Sequence, residues 1–352
     1  MPTVEWMQME NTIQKVCGII SIITNSFLIF LILTKSPPKL GSYKWLMLYT
    51  SSFELLYALS SFFLGPSMHN YGSVCMVFQD MSQTWLSHRA AEIFIVIYCS
   101  FFGTSMAIFA VHFMYRYGAV NSEFKHKYLS GAKQICLYIG PIVCGTFWGI
   151  TCWIFMSESE TTTNYLRYPM EHKFRLKIEN CAYIALYFWP VDSNGKSYPS
   201  LFSFVGVGLM YIILGASFIS VFYFGIRCYR YISKRLGNLE NQSQASKSLQ
   251  SQLFYSLILQ SAIPCVLMYL PATIIFTCPM LNIDFDLKYP FIGVAIAVYP
   301  AIDPLPTILI IKSYRQGCLE LIACRRNNQV STDYSHKDAS ARPSTANNIN
   351  NF

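Results

Sequence analysis

The sequence predicts an all-α membrane protein, a bundle of seven transmembrane helices with its N-terminus outside the cell and its C-terminus inside. Of its 352 residues, 53% are hydrophobic and only 12% are charged, whereas soluble domains carry about 25% charged residues. Seven continuous apolar segments are each long enough to cross a hydrocarbon layer about 30 Å thick. The Lys and Arg residues between them collect on one side of the predicted bundle.

The seven segments are apolar without strict alternation, which indicates helices and not the strands of a membrane barrel. We expect the first helix to be retained, because no small-residue cleavage site follows it. In chain order the predicted spans are residues 16–33, 45–64, 92–115, 134–156, 201–224, 253–278 and 289–311.

The orientation follows from the connecting segments, because cytoplasmic loops are enriched in Lys and Arg. The segments 34–44, 116–133 and 225–252 together with the C-terminal tail hold 18 of these residues, and the opposite side holds 8. The N-terminus is therefore predicted outside. The net charge of +8 is explained by topology and does not require a nucleic-acid partner.

The long segment 157–198 is predicted to lie outside. Its part from Cys181 to Trp189 and the turn that follows fit either a small hairpin over the bundle or an irregular surface loop. Cys75 and Cys181 both fall in predicted external loops, where a disulfide between them is possible. Cys278, at the outer end of the sixth helix, is a competing partner.

After the seventh span, residues 313–326 have the pattern of a short amphipathic helix on the inner membrane surface. Cys318 and Cys324 lie in it beside basic residues and are candidates for palmitoylation, although free buried thiols fit as well. We therefore divide the chain into a membrane domain, 1–326, and a disordered cytoplasmic tail, 327–352, whose Ser and Thr residues are open to kinases.

Ionisable side chains inside a bilayer are costly and therefore mark functional candidates. Glu54 lies in the middle of the second helix and Asp303 in the inner third of the seventh. His112 and Arg116 lie at the inner end of the third. The alternative for each is a polar bridge that only holds helices together.

One face of the third helix joins the outer mouth to the inner surface. At 100° per residue its side chains fall within about 40° of one line, which runs for about 27 Å. They are Tyr98, Phe102, Ser105, Phe109, His112 and Arg116. The alternative to a functional role is that any bundle helix needs an inward face. This alternative explains the aromatic residues fully but explains the His and the Arg less well.

The sixth helix carries Pro264 and Pro271, and each proline removes a backbone hydrogen bond. In membrane helices such positions act either as hinges or as static kinks. The sequence has no catalytic triad, phosphate-binding Gly loop, metal-ligand cluster or mid-membrane Lys in the seventh helix. We therefore expect no enzyme, no cofactor, no metal and no retinal Schiff base.

Several motifs resemble those of one family. The segment HFMYRY at 112–117 resembles the H-F-x-Y-R-Y signature of nematode seven-transmembrane chemoreceptors, the serpentine receptor class r (Str) group, whose members include the diacetyl odorant receptor. Further matching segments are KWLM at 44–47, LQSAIP at 259–264, MYLP at 268–271, YPAIDPL at 299–305 and IKSYR at 311–315. The resemblance covers nearly the whole membrane region.

The resemblance implies a G-protein-coupled olfactory receptor in the plasma membrane of sensory neurons or their cilia. Arg116 resembles the Arg of the D-R-Y motif, with Tyr115 in place of the acid. Asp303-Pro304 resembles the start of N-P-x-x-Y, with Thr307 where that motif has its tyrosine. Implied partners are an odorant, a heterotrimeric G protein, membrane lipid, and arrestin and kinase at the tail. Residues assigned to coupling are His112, Arg116, Tyr117, Pro264, Tyr269, Pro271, Asp303 and Pro304.

We expect a small, volatile or otherwise apolar ligand in an outer pocket between the third, fifth, sixth and seventh helices. Its predicted lining is Tyr98, Phe102, Ser105, Tyr269 and Phe276. Two alternatives are a seven-helix ligand-gated cation channel of inverted topology and a membrane transporter. The loop charges oppose the first, and the odd helix number with no discontinuous helix pair opposes the second.

Overall fold

The computed structural model describes residues 4–192, 194–238, 244–283 and 292–321. Its helices are α1 Val4–Lys35, α2 Tyr43–Leu64, α3 His88–Val120, α4 Ser122–Tyr128, α5 Cys136–Phe155, α6 Glu160–Phe174, α7 Leu201–Asn238, α8 Gln244–Pro264, α9 Leu270–Met280, α10 Ile292–Ile302, α11 Pro304–Ile310 and α12 312–321. A π-helical segment, Cys265–Tyr269, joins α8 to α9. The strands are β1 Ser67–Tyr71, β2 Val74–Asp80 and β3 Cys181–Tyr187.

The predicted seven-helix architecture is confirmed. The seven spans correspond to α1, α2, α3, α5, α7, the α8–α9 pair and the α10–α11 pair. Within the described part of the chain, six of these are long and apolar enough to cross a membrane. The remaining span, α2, has 22 residues but a more polar composition than the other six. It packs along α1 and α3.

The first helix begins at Val4, twelve residues before the predicted span, so that predicted boundary is wrong. The early turns contain Glu10 and Gln14, which the hydropathy pattern excluded. Both side chains are nevertheless only 3% exposed. They pack where Gly293 and Gly65 lack side chains, and a Cβ at either glycine would overlap them. Tertiary packing therefore extends the helix beyond its apolar part.

The basic segment 225–252 is largely helical, so its prediction as a loop is wrong for the described residues. Helix α7 continues to Asn238 and α8 begins at Gln244. A helix satisfies its own backbone hydrogen bonds, so it continues beyond the apolar span without needing hydrophobic side chains.

The three strands form one antiparallel sheet in the order β1-β2-β3. The paired strands β2 and β3 are apolar on both faces because both faces of the sheet are covered. Residues such as Val74, Met76 and Tyr183 pack with the amphipathic helix α6, whereas their neighbours Val77 and Ile184 belong to the core of the bundle. The sheet is thus a lid on the bundle, covered in turn by α6.

The sheet decides between the two alternatives for the segment 157–198. Residues from Cys181 to Tyr187 form a strand, but their partner is β2 and not a strand of the same segment. The turn that follows is closed by a single bridge between Val191 and Ser197. The hairpin interpretation was closer than the irregular loop, although it missed the strand partner.

The helix after the seventh span is present as α12 and docks on the C-terminal end of α1. Lys35 Nζ lies 2.6 Å from a Glu320 carboxylate oxygen, and the hydroxyls of Ser36 and Tyr314 are 2.8 Å apart. Cys318 is a half-buried free thiol. Cys324 and the predicted tail, 327–352, lie outside the described residues.

Candidate functional site

An apolar cavity of about 40 Å³ lies directly beneath the sheet. The strands supply its roof through Met68, Cys75 and Val77, and α3, α5, α7, α9 and α10 supply its walls. None of its lining side chains is charged. The remaining lining residues are Cys99, Phe102, Trp148, Cys152, Met156, Met210, Ala272, Ile275, Phe276 and Ile296.

Two of the five predicted lining residues, Phe102 and Phe276, border this cavity. The ring of Trp148 lies between them, with its centroid 5.4 Å from that of Phe102 and 6.4 Å from that of Phe276. The three rings form one aromatic wall. Trp148 was missed because nothing in the sequence of the fourth helix distinguishes an inward Trp from one that faces lipid.

The other three predicted lining residues are buried elsewhere in the bundle and do not border this cavity. Their contact with a ligand stays a prediction. The Tyr98 ring packs against Tyr57, with centroids 5.2 Å apart. Ser105 donates its hydroxyl to the backbone oxygen of Phe101 at 3.1 Å. Tyr98 and Ser105 are both at most 4% exposed, but the cavity borders only part of the helix face that they share.

The prediction of a disulfide between Cys75 and Cys181 is wrong in this structure, where both are free. The sheet register places Cys75 opposite Leu186 and Cys181 opposite Asp80. The two cysteines are therefore five positions apart along the sheet, or about 17 Å. Burial raises the pKa of the Cys181 thiol to about 12, so it stays protonated and unreactive at neutral pH.

The π-helical segment lies between the two prolines singled out in the sixth helix. It begins directly after Pro264 and ends at Tyr269, two residues before Pro271. Prolines remove backbone donors, and a π segment widens the helix at that point. The predicted irregularity is therefore present, in the form of a π segment.

Tyr269 closes the π segment and ties it to neighbouring helices. Its hydroxyl lies 2.7 Å from that of Ser217 on α7. Ser217 in turn donates to the backbone oxygen of Met106 on α3. Tyr269 is thus not a lining residue of the cavity but a link from the irregular part of the sixth helix to the third and fifth helices.

The two intramembrane carboxyl groups, Glu54 and Asp303, are each 1% exposed and lie close enough to interact with each other. The Tyr299 hydroxyl donates to Glu54 Oε1 at 3.3 Å, and Gln260 Nε2 donates to Asp303 Oδ2 at 3.2 Å. Two carboxyl groups in contact in an apolar surrounding are stable when they share one proton. This cluster joins the second, sixth and seventh helices.

The seventh helix bends at Asp303, between α10 and Pro304, the first residue of α11. The Asp303 backbone N–H still donates to Tyr299 O at 3.0 Å, so the helix is kinked and not interrupted. Ile296, one turn before Tyr299, borders the cavity. One face of this helix therefore connects the cavity to the carboxyl pair.

Near the C-terminal end of α3, His112 bridges to α2. Its Nδ1 lies 3.0 Å from the Tyr43 hydroxyl and its Nε2 lies 2.7 Å from Thr50 Oγ1. Thr50 donates its own hydrogen to Leu46 O, so His112 Nε2 donates to Thr50 and Nδ1 accepts from Tyr43. This arrangement favours the packing alternative for His112.

Arg116 is 3% exposed, and its guanidinium lies 3.5 Å from the centre of the Tyr43 ring. It also borders a second cavity, of about 300 Å³, at the same end of the bundle, and the lining of this cavity includes Lys39 and Lys125. Tyr117, on the adjacent face, stacks near Phe224 of α7, with centroids 5.8 Å apart. The predicted coupling residues at this end thus lie together.

Comparison with known proteins identifies the family. Residues 10–319 match the family model described as serpentine type 7TM GPCR chemoreceptor Str. The chain belongs to this family. It is 31% identical over 314 residues to "G-protein coupled receptor str-217" of Caenorhabditis elegans, covering 89% of this chain and 90% of that protein.

A second relative of this Str chain is "Serpentine receptor class r-10" of Caenorhabditis elegans, 28% identical over 330 residues, with 92% of this chain and 94% of the relative covered. Among solved structures, squid rhodopsin matches with a TM-score of 0.59 at 13% identity, over 98% of this chain and 94% of that one. At this identity the likeness concerns the fold alone.

Membership confirms the family resemblance drawn from the motifs, and with it a chemosensory G-protein-coupled receptor in place of an enzyme. It also fixes a multi-pass membrane location for this Str receptor. The channel and transporter alternatives find no support among its relatives.

Proposed function

We propose that this Str receptor is an olfactory receptor that binds a small, apolar, volatile ligand in the cavity beneath the sheet and activates a heterotrimeric G protein. The observation that carries this proposal is the cavity itself, which is small, uncharged and bordered by both helices that contain irregular segments. A cavity of about 40 Å³ admits only a few non-hydrogen atoms without rearrangement.

The ligand acts by binding one arrangement of the helices better than another. Phe276 and Ala272 of α9 lie at the cavity, and the π segment that ends at Tyr269 lies directly below them. On the seventh helix Ile296 lies at the cavity and Asp303 at the kink. A ligand that displaces α9 or α10 therefore perturbs the Tyr269 link and the carboxyl pair.

The inner cavity beside Arg116 is the proposed G-protein surface. It is bordered by the cationic side chains of Lys39 and Lys125 and by the aromatic rings of Tyr43 and Tyr115. Such a surface fits a G-protein segment with acidic and apolar residues. We also propose that kinases and arrestin bind the C-terminal tail and that Cys318 and Cys324 are palmitoylated. The proposed location of the receptor is the plasma membrane of sensory neurons or their cilia.

The first test places one epitope tag at each terminus and stains intact and then permeabilised cells. The proposal requires the N-terminal tag to be visible on intact cells and the C-terminal tag to be hidden. Volatile ligands are then screened with a G-protein activation readout. The reverse orientation would contradict G-protein coupling through Arg116 and would direct attention to the inverted channel, which electrophysiology can test.

A further inference from the structure

At the rim of the bundle, beside the sheet, three side chains from two separate parts of the chain converge. His88 is the first residue of α3, Glu92 follows one helical turn later, and Glu158 lies three residues after the end of α5, before α6 begins. One ligand atom from each lies within 4.8 Å of both others. Because residues four apart share a helix face, the His and the first Glu project together toward the second Glu.

We infer that these three residues form a binding site for a divalent transition-metal ion of the Zn²⁺ class. Imidazole and carboxylate ligands suit Zn²⁺, and three protein ligands with an open fourth position form a known type of site. The site uses none of the residues assigned above to the cavity or to coupling, and the inference stands independently of the proposed function.

The spacing of the ligand atoms supports this assignment. His88 Nε2 lies 3.1 Å from Glu158 Oε1 and 3.8 Å from Glu92 Oε1. In a tetrahedral Zn²⁺ site with bonds of about 2.0–2.1 Å, neighbouring ligand atoms are about 3.3 Å apart. The two measured separations lie close to this value, so the three atoms are near the spacing that one bound ion requires.

The charges also favour a cation of this valence. Two carboxylates face one imidazole, so the deprotonated cluster carries two negative charges that a divalent ion neutralises. Arg89, the next residue in the chain after His88, has its guanidinium over the Trp153 ring at 5.8 Å.

Glu158 has a second partner that holds it in place. The Tyr183 backbone N–H of β3 donates to Glu158 Oε1 at 3.2 Å. Partners of this kind orient metal-binding carboxylates. A bound ion would therefore join α3 to the lid through Glu158. The side chains of His88, Glu92 and Glu158 are 45%, 17% and 28% exposed, so the site is reachable from water.

The sequence carried no signal of this site, because the second Glu is 70 residues from the His. The pattern His-x-x-x-Glu alone is common on helices. The expectation of no metal site is therefore replaced by this proposal, which rests on the packing of α3 against the end of α5.

The test uses the full-length receptor, purified through a tag without histidines and placed in lipid nanodiscs. Co²⁺, which binds in Zn²⁺ sites and absorbs visible light there, is titrated and then displaced with Zn²⁺. We expect saturable binding and the intense absorption of a tetrahedral ion. His88→Gln and Glu158→Gln should each weaken binding roughly tenfold or more, whereas Glu160→Gln, an exposed neighbour, should not.

A second variant distinguishes the loss of a metal-ligand atom from misfolding of the receptor. His88→Cys keeps a ligand atom, so it should retain Co²⁺ binding and add the near-ultraviolet absorption of a thiolate–cobalt bond. Thermal melting in the presence of a chelator shows whether each variant is folded. Absence of saturable binding in the native receptor, unchanged affinity in folded His88→Gln, or no thiolate band in folded His88→Cys would each overturn the proposal.

Discussion

The guanidinium of Arg116 stacks on the ring of Tyr43, with 3.5 Å between the guanidinium carbon and the ring centre. The residue before Arg116 is Tyr115, so no acid stands at that position. The same Tyr43 hydroxyl contacts His112. An aromatic ring on α2 therefore takes the place of an adjacent acid in holding the arginine at the inner end of α3.

We predict that Tyr43→Leu raises ligand-free signalling, because it removes the ring that holds Arg116. A cation–π contact contributes about 0.5–2 kcal/mol, so the melting temperature of the purified receptor should also fall. Tyr43→Phe is the matched control, since it keeps the ring and loses only the hydroxyl bonded to His112. An equal rise in ligand-free signalling in both variants would assign the effect to the loss of the hydroxyl and not to the loss of the ring.

Arg116→Ala should leave surface expression intact and lower ligand-driven G-protein activation roughly tenfold or more. The side chain borders the inner cavity and carries one of its positive charges. Surface staining and G-protein activation are measured in the same cells. Lys127→Ala, an exposed basic residue outside that cavity, serves as the control, and full signalling by Arg116→Ala would remove Arg116 from coupling.

Ala272→Leu should weaken the response to a small agonist roughly tenfold or more, because its added carbons occupy part of a cavity of about 40 Å³. Ala216→Leu makes the same change at an exposed position of α7 and should leave the response unchanged. Concentration–response curves for both variants are compared at matched surface expression. An unaltered curve for Ala272→Leu would place the ligand elsewhere.

Glu54→Gln should be tolerated and Glu54→Ala should not. A glutamine side chain has nearly the same shape and can still hydrogen-bond Tyr299 and Asp303. Alanine leaves both partners buried without that contact, which costs about 1–3 kcal/mol. Thermal melting of purified receptor in detergent measures the difference. Similar large losses in both variants would show that the carboxyl group itself, and not its shape and hydrogen bonds, is required.

Tyr269→Phe should raise ligand-free signalling, because it removes the hydroxyl that hydrogen-bonds to Ser217 and so restrains the π segment. The loss of one such hydrogen bond reduces the stabilising free energy by about 1 kcal/mol. Tyr211→Phe is a close control. It removes another tyrosine hydroxyl between α7 and α9, bonded to Thr277 at 2.6 Å, but outside the π segment. If both variants signal alike, the restraint is not specific to the π segment.

Predictions from periodicity succeeded where one physical cause dominated. The residues of the predicted α3 face from Tyr98 to Arg116 are all buried, and helical geometry alone decides which residues share a face. The irregularity near Pro264 and Pro271 follows equally directly from the missing backbone donors. Only Phe102 and Phe276 of the five predicted lining residues border the cavity beneath the sheet, since a shared face does not say which part of it borders an empty space.

Other features depended on contacts between distant segments. The sheet pairs β2 with β3 across about one hundred residues, and its register separates Cys75 from Cys181. An external location was insufficient to predict their disulfide, because bond formation requires a particular distance between the two Cβ atoms. The early start of α1 likewise depended on Gly65 and Gly293.

The sequence by itself determined the seven helices, the family and the position of the charged and proline residues along each helix. These depend on hydropathy, local geometry and motif identity, all of which are properties of neighbouring residues. Only the tertiary structure decided the sheet lid, the small cavity, the stacking of Arg116 on Tyr43 and the meeting of His88, Glu92 and Glu158. Each of these requires atoms far apart in the chain to come within a few ångströms, which the packing of the whole bundle sets.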